Sequence, residues 1–218
     1  MFESVNVIGR GRVGAAIAAR LAERGVAVVP DADLFLLCVP DTAIADVASR
    51  IEPGRWVAHV SGATPLAALD PHARRFSVHP LQTFTLGRGP EQLDGAYAAV
   101  TAEGDEARER GIWLGRTLVL EPFVLRDETR PLYHAGAAVA SNYLVTLHRI
   151  ASALFDDAGA PPEALLPLMR RTIDNGFELT GPIARGDWST VEAHVAALAE
   201  RRPDLVPVYT ALAEATRP

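Results

Sequence analysis

The sequence predicts two domains: an α/β domain on a mostly parallel sheet, then an all-helical domain. Three observations predict this. A short apolar run ends at Gly9, Gly11 and Gly14 and passes directly into helical periodicity. Short apolar runs then alternate with helical segments as far as the region of residues 122–128, the pattern of strands joined by crossover helices. From Glu128 onward the apolar residues follow helical spacing, interrupted by Pro161-Pro162, Gly181-Pro182 and Pro203. The expected domains are residues 1–125 and 126–218.

Residues 5–8 form the first strand, and the glycines after it each have a task. Gly9 permits the tight turn, Gly11 lets backbone approach a pyrophosphate, and Gly14 lets helix and strand pack closely. The helix that follows, with Val13, Ile17 and Leu21 at helical spacing, turns free N–H groups toward the phosphates. Gly9, Arg10, Gly11, Arg12, Val13 and Gly14 are therefore the candidate dinucleotide cradle.

The next segment is short. Residues 26–29 read as a strand, and only Pro30-Asp31-Ala32-Asp33 separates them from the third apolar run, 34–39. A parallel crossover takes about a dozen residues or more. Either the two runs pair as a hairpin, or one helix and one strand of the usual unit are missing. Asp31 stands at about the spacing of a ribose-binding acid, roughly 20 residues past the glycines. Turn residues before a strand are the other reading of Asp31 and Asp33.

Asp41 is expected to cap a helix carrying Ile44, Val47 and Ile51. A strand at 56–60 ends in Ser61-Gly62-Ala63, a short helix covers 65–69, and a strand at 76–78 leads into His79-Pro80-Leu81-Gln82-Thr83. After a loop at 84–95 come a strand at 96–101, a helix at 105–114 and a last strand at 117–120. Helices follow at 129–157, 162–179, 189–201 and 204–215, the third with Ser189 and Glu192 as a capping box.

Composition narrows the function. With 218 residues, 49% of them hydrophobic, the chain can fill real cores. A formal charge of −6 argues against nucleic acid or an anionic membrane surface as main partner. No apolar run approaches bilayer length and no signal-peptide pattern is seen, so the expected location is cytoplasmic. Cys38 is the sole cysteine, which leaves no disulfide framework, and no metal site is expected. All 21 basic residues are arginine, so Schiff-base formation and a lysine acid or base are excluded.

Ser61 and His79 are the candidate catalytic pair, because each follows a strand and ligands in open α/β sheets lie beyond the carboxyl ends of strands. A histidine there can exchange a proton near neutral pH, and a serine hydroxyl can orient the same substrate oxygen. His59 is assigned a structural role. His134 and Ser141 share a helix face, with Asn142 beside them and small residues between, and close helix packing is the alternative to a cleft lining. Arg185, in a tight interhelix turn, either forks onto a carboxylate or phosphate or pairs with Asp187.

In order, the glycine motif, Val39-Pro40-Asp41, Ser61-Gly62-Ala63, His79-Pro80-Leu81-Gln82-Thr83 and Gly181-Pro182-Ile183-Ala184-Arg185-Gly186-Asp187 resemble one bacterial family over nearly the whole chain. It is the two-domain family of Rossmann-like proteins that carry the C-terminal domain of unknown function 2520. The resemblance implies an oxidoreductase using NADP or NAD. The helical domain is similar to those of 6-phosphogluconate dehydrogenase relatives, which implies a homodimer formed through it. More distantly, the Ser61 and His79 segments resemble prephenate dehydrogenases, implying His79 as acid/base and Ser61 as its orienting partner. The catalytic lysine of hydroxyacid dehydrogenases has no counterpart. The short region around residues 30–33 departs from the family, whose members keep a fuller second strand and crossover.

The expected function is hydride transfer to or from a small substrate in an interdomain cleft. The pyrophosphate is expected on residues 9–14, the nicotinamide near Val39, Pro40, Asp41 and Ser61, and the substrate on Gln82, His134, Asn142 and Arg185. The rival expectation is a non-catalytic dimer that binds a nucleotide or phosphorylated ligand through a degenerate cofactor site.

Overall fold

The computed structural model describes residues 1–217. The chain divides into two compact units, the first Met1–Thr146 and the second from Leu147 on. The first holds a seven-stranded sheet of order β2-β1-β3-β4-β5-β6-β7, parallel throughout except between β5 and β6. The last strand ends at Val124, and among the described residues only helical elements follow.

Strand β1 (Ser4–Ile8) alternates apolar and polar side chains. Val5 and Val7 are buried with Ile17 and Leu21 of α1 (Arg12–Glu23), each such side chain contributing about 1.5–3 kcal/mol. Ser4 and Asn6 face the other way and hold the short connection between β2 (Ala27–Val28) and β3 (Leu34–Leu37). Asn6 Nδ2 donates to the Pro30 carbonyl at 2.7 Å. The Asp33 carboxylate accepts from the Glu3 N–H, the Ser4 N–H and the Ser4 hydroxyl at 3.0–3.1 Å.

Both β2 and β3 run parallel to β1, one on each side, so they do not form a hairpin. The five residues 29–33 suffice for the connection because β2 pairs only with Ser4 and Val5 while β3 begins opposite Val5. The chain crosses β1 near its start and never has to return along the sheet. Parallel strands covered on both faces are near-continuously apolar. The polar alternation of β1 marks the face where the missing crossover would have packed.

On that face a second core joins Leu37, Ile44, Ala48, Val57 and Leu69 to Ile8, Phe35, Val47 and Ile51. Helix α2 is shorter than expected, Ile44–Ala48, after a 3-10 turn at Asp41–Ala43, and Asp41 makes no side-chain cap. Strand β4 is Trp56–His59. Strand β5 (Arg75–Leu81) is longer than the expected 76–78, because β6 (Tyr97–Ala102) pairs with it as far as Leu81. His79 thus lies inside a strand, yet two residues beyond Ser77, the last partner of β4.

Strand β7 is Glu121–Val124, not 117–120. Helix α3 (Asp105–Thr117) extends through Thr117, whose hydroxyl donates to the Trp113 carbonyl at 2.9 Å. Leu118 then fills the core and Val119 turns the chain at φ 63°. Pro122 is tolerated because β7 is an edge strand.

The expected helix at 129–157 is α4 (Arg130–Ala138), a π-helical turn at Val139–Tyr143, and α5 (Leu144–Asp157). The second unit continues with α6 (Leu165–Asp174), α7 (Trp188–Arg201) and α8 (Val206–Ala215). Helix α7 is capped by Asp187, which accepts from the Thr190 N–H, and not by the Ser189–Glu192 box. The Ser189 hydroxyl donates to the same carboxylate at 2.8 Å, so a charged acceptor wins the capping position over a neutral one.

Candidate functional site

The strand order sets the expected loops side by side along one edge: the glycine turn after β1, Val39-Pro40-Asp41 after β3, Ser61-Gly62 after β4, and His79 in the extension of β5. The glycine turn has the shape its sequence requires. Gly9 has φ 107°, and a Cβ there would lie 2.3 Å from the Cys38 carbonyl oxygen. A Cβ at Gly14 would lie 1.9 Å from the Gly9 carbonyl oxygen.

A Cβ at Gly11 would meet nothing within 4 Å, so its constraint lies outside the protein's own packing. Gly11 is also the N-cap of α1, with no side-chain cap and no acid in the first turn. Arg10 and Arg12 flank it, both exposed. Open space, uncapped N–H groups and two guanidinium groups fit a pyrophosphate. The ribose end differs. Asp33 is used by Ser4, and Asp31 pairs with Arg55 at 2.9 Å.

Beside this edge a cavity of about 610 Å³ is lined by His79, Gln82, Tyr133, His134, Ser141 and Asn142, with Thr83 and small or apolar residues between them. The structure therefore brings together His79, Gln82, His134 and Asn142. The π-helical turn explains why Ser141 and Asn142 both reach the cavity: it widens the helix by one residue per turn. Ser141 Oγ donates back to the Ala137 carbonyl at 3.0 Å, a bond that favours such a distortion. Arg185 lies in an exposed turn of the second unit.

Tyr133, which no sequence signal marks, is the partner of His79. Its hydroxyl and His79 Nδ1 share a hydrogen bond of 2.8 Å, and the rings meet edge to face. The His79 ring rests on Gly62, where a Cβ would come within 2.7–2.9 Å of three ring atoms. Gly62 therefore serves as the floor of the imidazole. Ser61 is not among the cavity residues. Its Oγ accepts from the N–H groups of Ala63 and Thr64 at 3.2 and 3.0 Å and donates to the Thr64 hydroxyl at 2.9 Å, which fixes the turn that carries Gly62.

Beneath these residues is a fully buried guanidinium. Arg130 is 1% exposed; it donates to Asp127 at 2.6 Å, to the Ser61 carbonyl at 3.1 Å and to the Ser77 hydroxyl. Asp127 also accepts from the Leu66 N–H at 3.1 Å. This pair ties the start of α4 to the ends of β4 and β5, and so sets Tyr133 against His79. An Asp–Arg pair three residues apart has no sequence mark that separates it from a surface pair.

Burial, assisted by His134 and Arg130, pushes His79 down to about 4, with Asp41 opposing. His79 is neutral at pH 7 and does not titrate where a free histidine does. Burial, Arg130 and His79 push His59 down to about 3. His59 Nδ1 accepts from the Ser61 N–H at 3.2 Å, so the proton of the neutral ring is on Nε2, which has no partner. Burial also pushes Tyr133 up to about 12.

For both histidines the unfolded chain binds protons below about pH 6.5 while the folded chain takes them only near 4 and 3. Stability is thus fully present above pH 6.5 and falls as the pH drops through the window below it. Each histidine contributes a slope of about 1.4 kcal/mol per pH unit. Urea melts from pH 7.5 to 4.5 should show this loss, and His59→Gln should flatten it.

Among the described residues, no group of three or more His, Cys, Asp or Glu side chains is placed to hold a metal ion. No described helix is long and apolar enough to cross a membrane.

Residues 96–216 match the family model described as domain of unknown function DUF2520. No curated protein matches the chain. Among solved structures, an NADP-oxidoreductase candidate from Bacteroides fragilis superposes with a TM-score of 0.81 at 21% identity, covering 98% of this chain and 97% of that one. A Thermotoga maritima protein superposes with a TM-score of 0.76 at 23% identity, covering 97% and 88%. The reductive aminase of Aspergillus terreus, in complex with NADPH, gives 0.66 at 17% identity, covering 98% and 93%. At such identities the likeness is one of fold.

Proposed function

The chain belongs to the DUF2520 family, and from that premise we propose that it is an oxidoreductase that uses a nicotinamide dinucleotide on a small carbonyl, imine or alcohol substrate. The observation that carries this reading is the hydrogen-bonded pair of Tyr133 and His79 in a cavity on the sheet edge that also holds the glycine turn. The solved structures of like fold support it, since those named for an activity are oxidoreductases.

The residues 9–14 hold the pyrophosphate, with Arg10 and Arg12 beside it and Val13 beginning the helix, and Val39, Pro40 and Asp41 border the nicotinamide end. The cofactor, NADP or NAD, supplies or accepts the hydride. In the reducing direction the Tyr133 hydroxyl donates its proton to the substrate oxygen or nitrogen. His79 Nδ1–H replaces that proton, and His79 Nε2 recovers one from solvent. A neutral His79 suits this relay, because it both donates and accepts. Gln82, His134 and Asn142 orient the substrate by hydrogen bonds. Ser61 acts through the turn that seats His79.

The working form is a homodimer through the helical region. In the second unit only Leu165, Val191, Leu198, Leu205 and Ala213 are buried among the described residues. Leu168 and Phe177 are 61% and 72% exposed. So small a core needs further burial, and a second copy supplies it.

The test is a titration of nucleotide-free protein with NADPH and NADH, followed by reduced-nicotinamide fluorescence, with light scattering on the same sample. Saturable binding at micromolar concentration is expected, abolished by Gly11→Asp, together with a mass of twice 23.3 kDa. No binding at millimolar cofactor would overturn the nicotinamide reading in favour of a non-catalytic binder of another phosphorylated ligand. A monomer would overturn the dimer alone.

A further inference from the structure

We propose that the adenine of the cofactor lies on the face of the sheet left bare by the missing crossover, between the ring of Phe35 and the guanidinium of Arg55. The inference rests on the nicotinamide reading above and goes beyond it by locating the adenosine half.

Three observations carry it. A groove of about 720 Å³ opens on this face, floored by Ile8, Phe35, Val47 and Ile51. In a fold with the full crossover this surface would be roofed; here the loop at residues 30–33, the short α2 and the segment from Arg50 to Arg55 border it. The groove also reaches the residue next to the phosphate cradle, because Ile8 lines it and Gly9 opens the turn. Phe35 pairs with Asn6, two residues below Ile8, a drop of about 7 Å along the strand and within a nucleoside's reach.

The third observation is a slot. The Arg55 guanidinium stands over Phe35 at 6.0 Å from the ring centroid. Direct stacking places two faces about 3.5–4.0 Å apart, and a planar ring inserted between them needs about 7 Å. Arg55 can give the remaining ångström readily. Its side chain is 40% exposed and its partner Asp31 is 85% exposed, and so exposed a pair holds its geometry weakly. An apolar, aromatic floor under an exposed guanidinium suits the face of a purine.

The experiment titrates the full chain with NADPH, NADH and reduced nicotinamide mononucleotide, which lacks adenosine. Wild type should bind both dinucleotides at least about tenfold more tightly than the mononucleotide. Arg55→Ala and Phe35→Leu, the second chosen to keep the core filled, should each weaken both dinucleotides about tenfold, with unchanged thermal melts. Dinucleotide binding unaffected by Arg55→Ala, or equal affinity for mononucleotide and dinucleotide, would overturn the proposal and leave the nicotinamide reading standing. Failure of wild type to bind any of the three would remove that reading and this inference with it. If only NADPH responds to Arg55→Ala, Arg55 meets the 2′-phosphate and not the base, and the slot is wrong.

Discussion

Tyr133→Phe should lower kcat for the reduction of a carbonyl substrate about a hundredfold to a thousandfold, the range expected when a positioned proton donor is removed. The change deletes one oxygen and leaves the ring against His79 and Phe123. Cofactor affinity should therefore hold, and the loss should appear in kcat. Gly62→Ala should act on the same step without touching the phenol. Its methyl group needs the space now filled by three atoms of the His79 ring, so the imidazole must swing away from Tyr133. The two residues act as a unit, and the double variant should lose little more than the worse single one. Steady-state kinetics under saturating cofactor reads all three. Full activity in Tyr133→Phe would remove the phenol from the chemistry and return the donor role to His79 alone.

Asp127→Ala should destabilise the chain by about 3 kcal/mol, the low end for a broken buried ion pair because Asp127 itself is 30% exposed. It leaves the Arg130 charge, 1% exposed, without its counter-ion, and leaves the Leu66 N–H without its acceptor. Urea melts measure this. The double change Asp127→Leu with Arg130→Met should recover much of the loss, since it removes both charges together. It should not recover catalysis, because Arg130 also holds the Ser61 carbonyl and the Ser77 hydroxyl beneath His79. Stability restored and activity absent would separate the two roles of this arginine. Unchanged stability in Asp127→Ala would show that water replaces the carboxylate.

The legible parts of the sequence were those where one short segment carries its own physics. The glycine turn is local: Gly9 needs its positive φ, Gly14 its contact with Gly9, and both follow from the strand, turn and helix around them. Strand and helix alternation is local as well, so the α/β-then-helical order could be read from periodicity. Where neighbours in space decide the outcome, the sequence misled. The limits of β5 are set by its pairing with β6, those of β7 by how far α3 continues, and the parallel course of β2 and β3 by where each begins along β1.

Within the site, His79, Gln82, His134 and Asn142 were visible as polar residues at strand ends or on one helix face, and the structure gathers them around one cavity. Tyr133, Gly62 and Arg130 were not visible in those roles. Their partners stand 54, 17 and 69 residues away in the chain, at His79, His79 and Ser61. Ser61 looked like a catalytic hydroxyl, but hydrogen bonds formed within three residues satisfy it first.

By itself, then, the sequence determined the class of each domain, the glycine turn that fits a pyrophosphate, and the exclusion of lysine chemistry. These depend on residue type and short-range spacing, which folding does not alter. Only the tertiary structure decided which phenol meets His79, which guanidinium lies buried beneath it, and which face of the sheet stays open. Each is a contact between segments far apart in the chain, and its geometry exists only once the sheet has set their order.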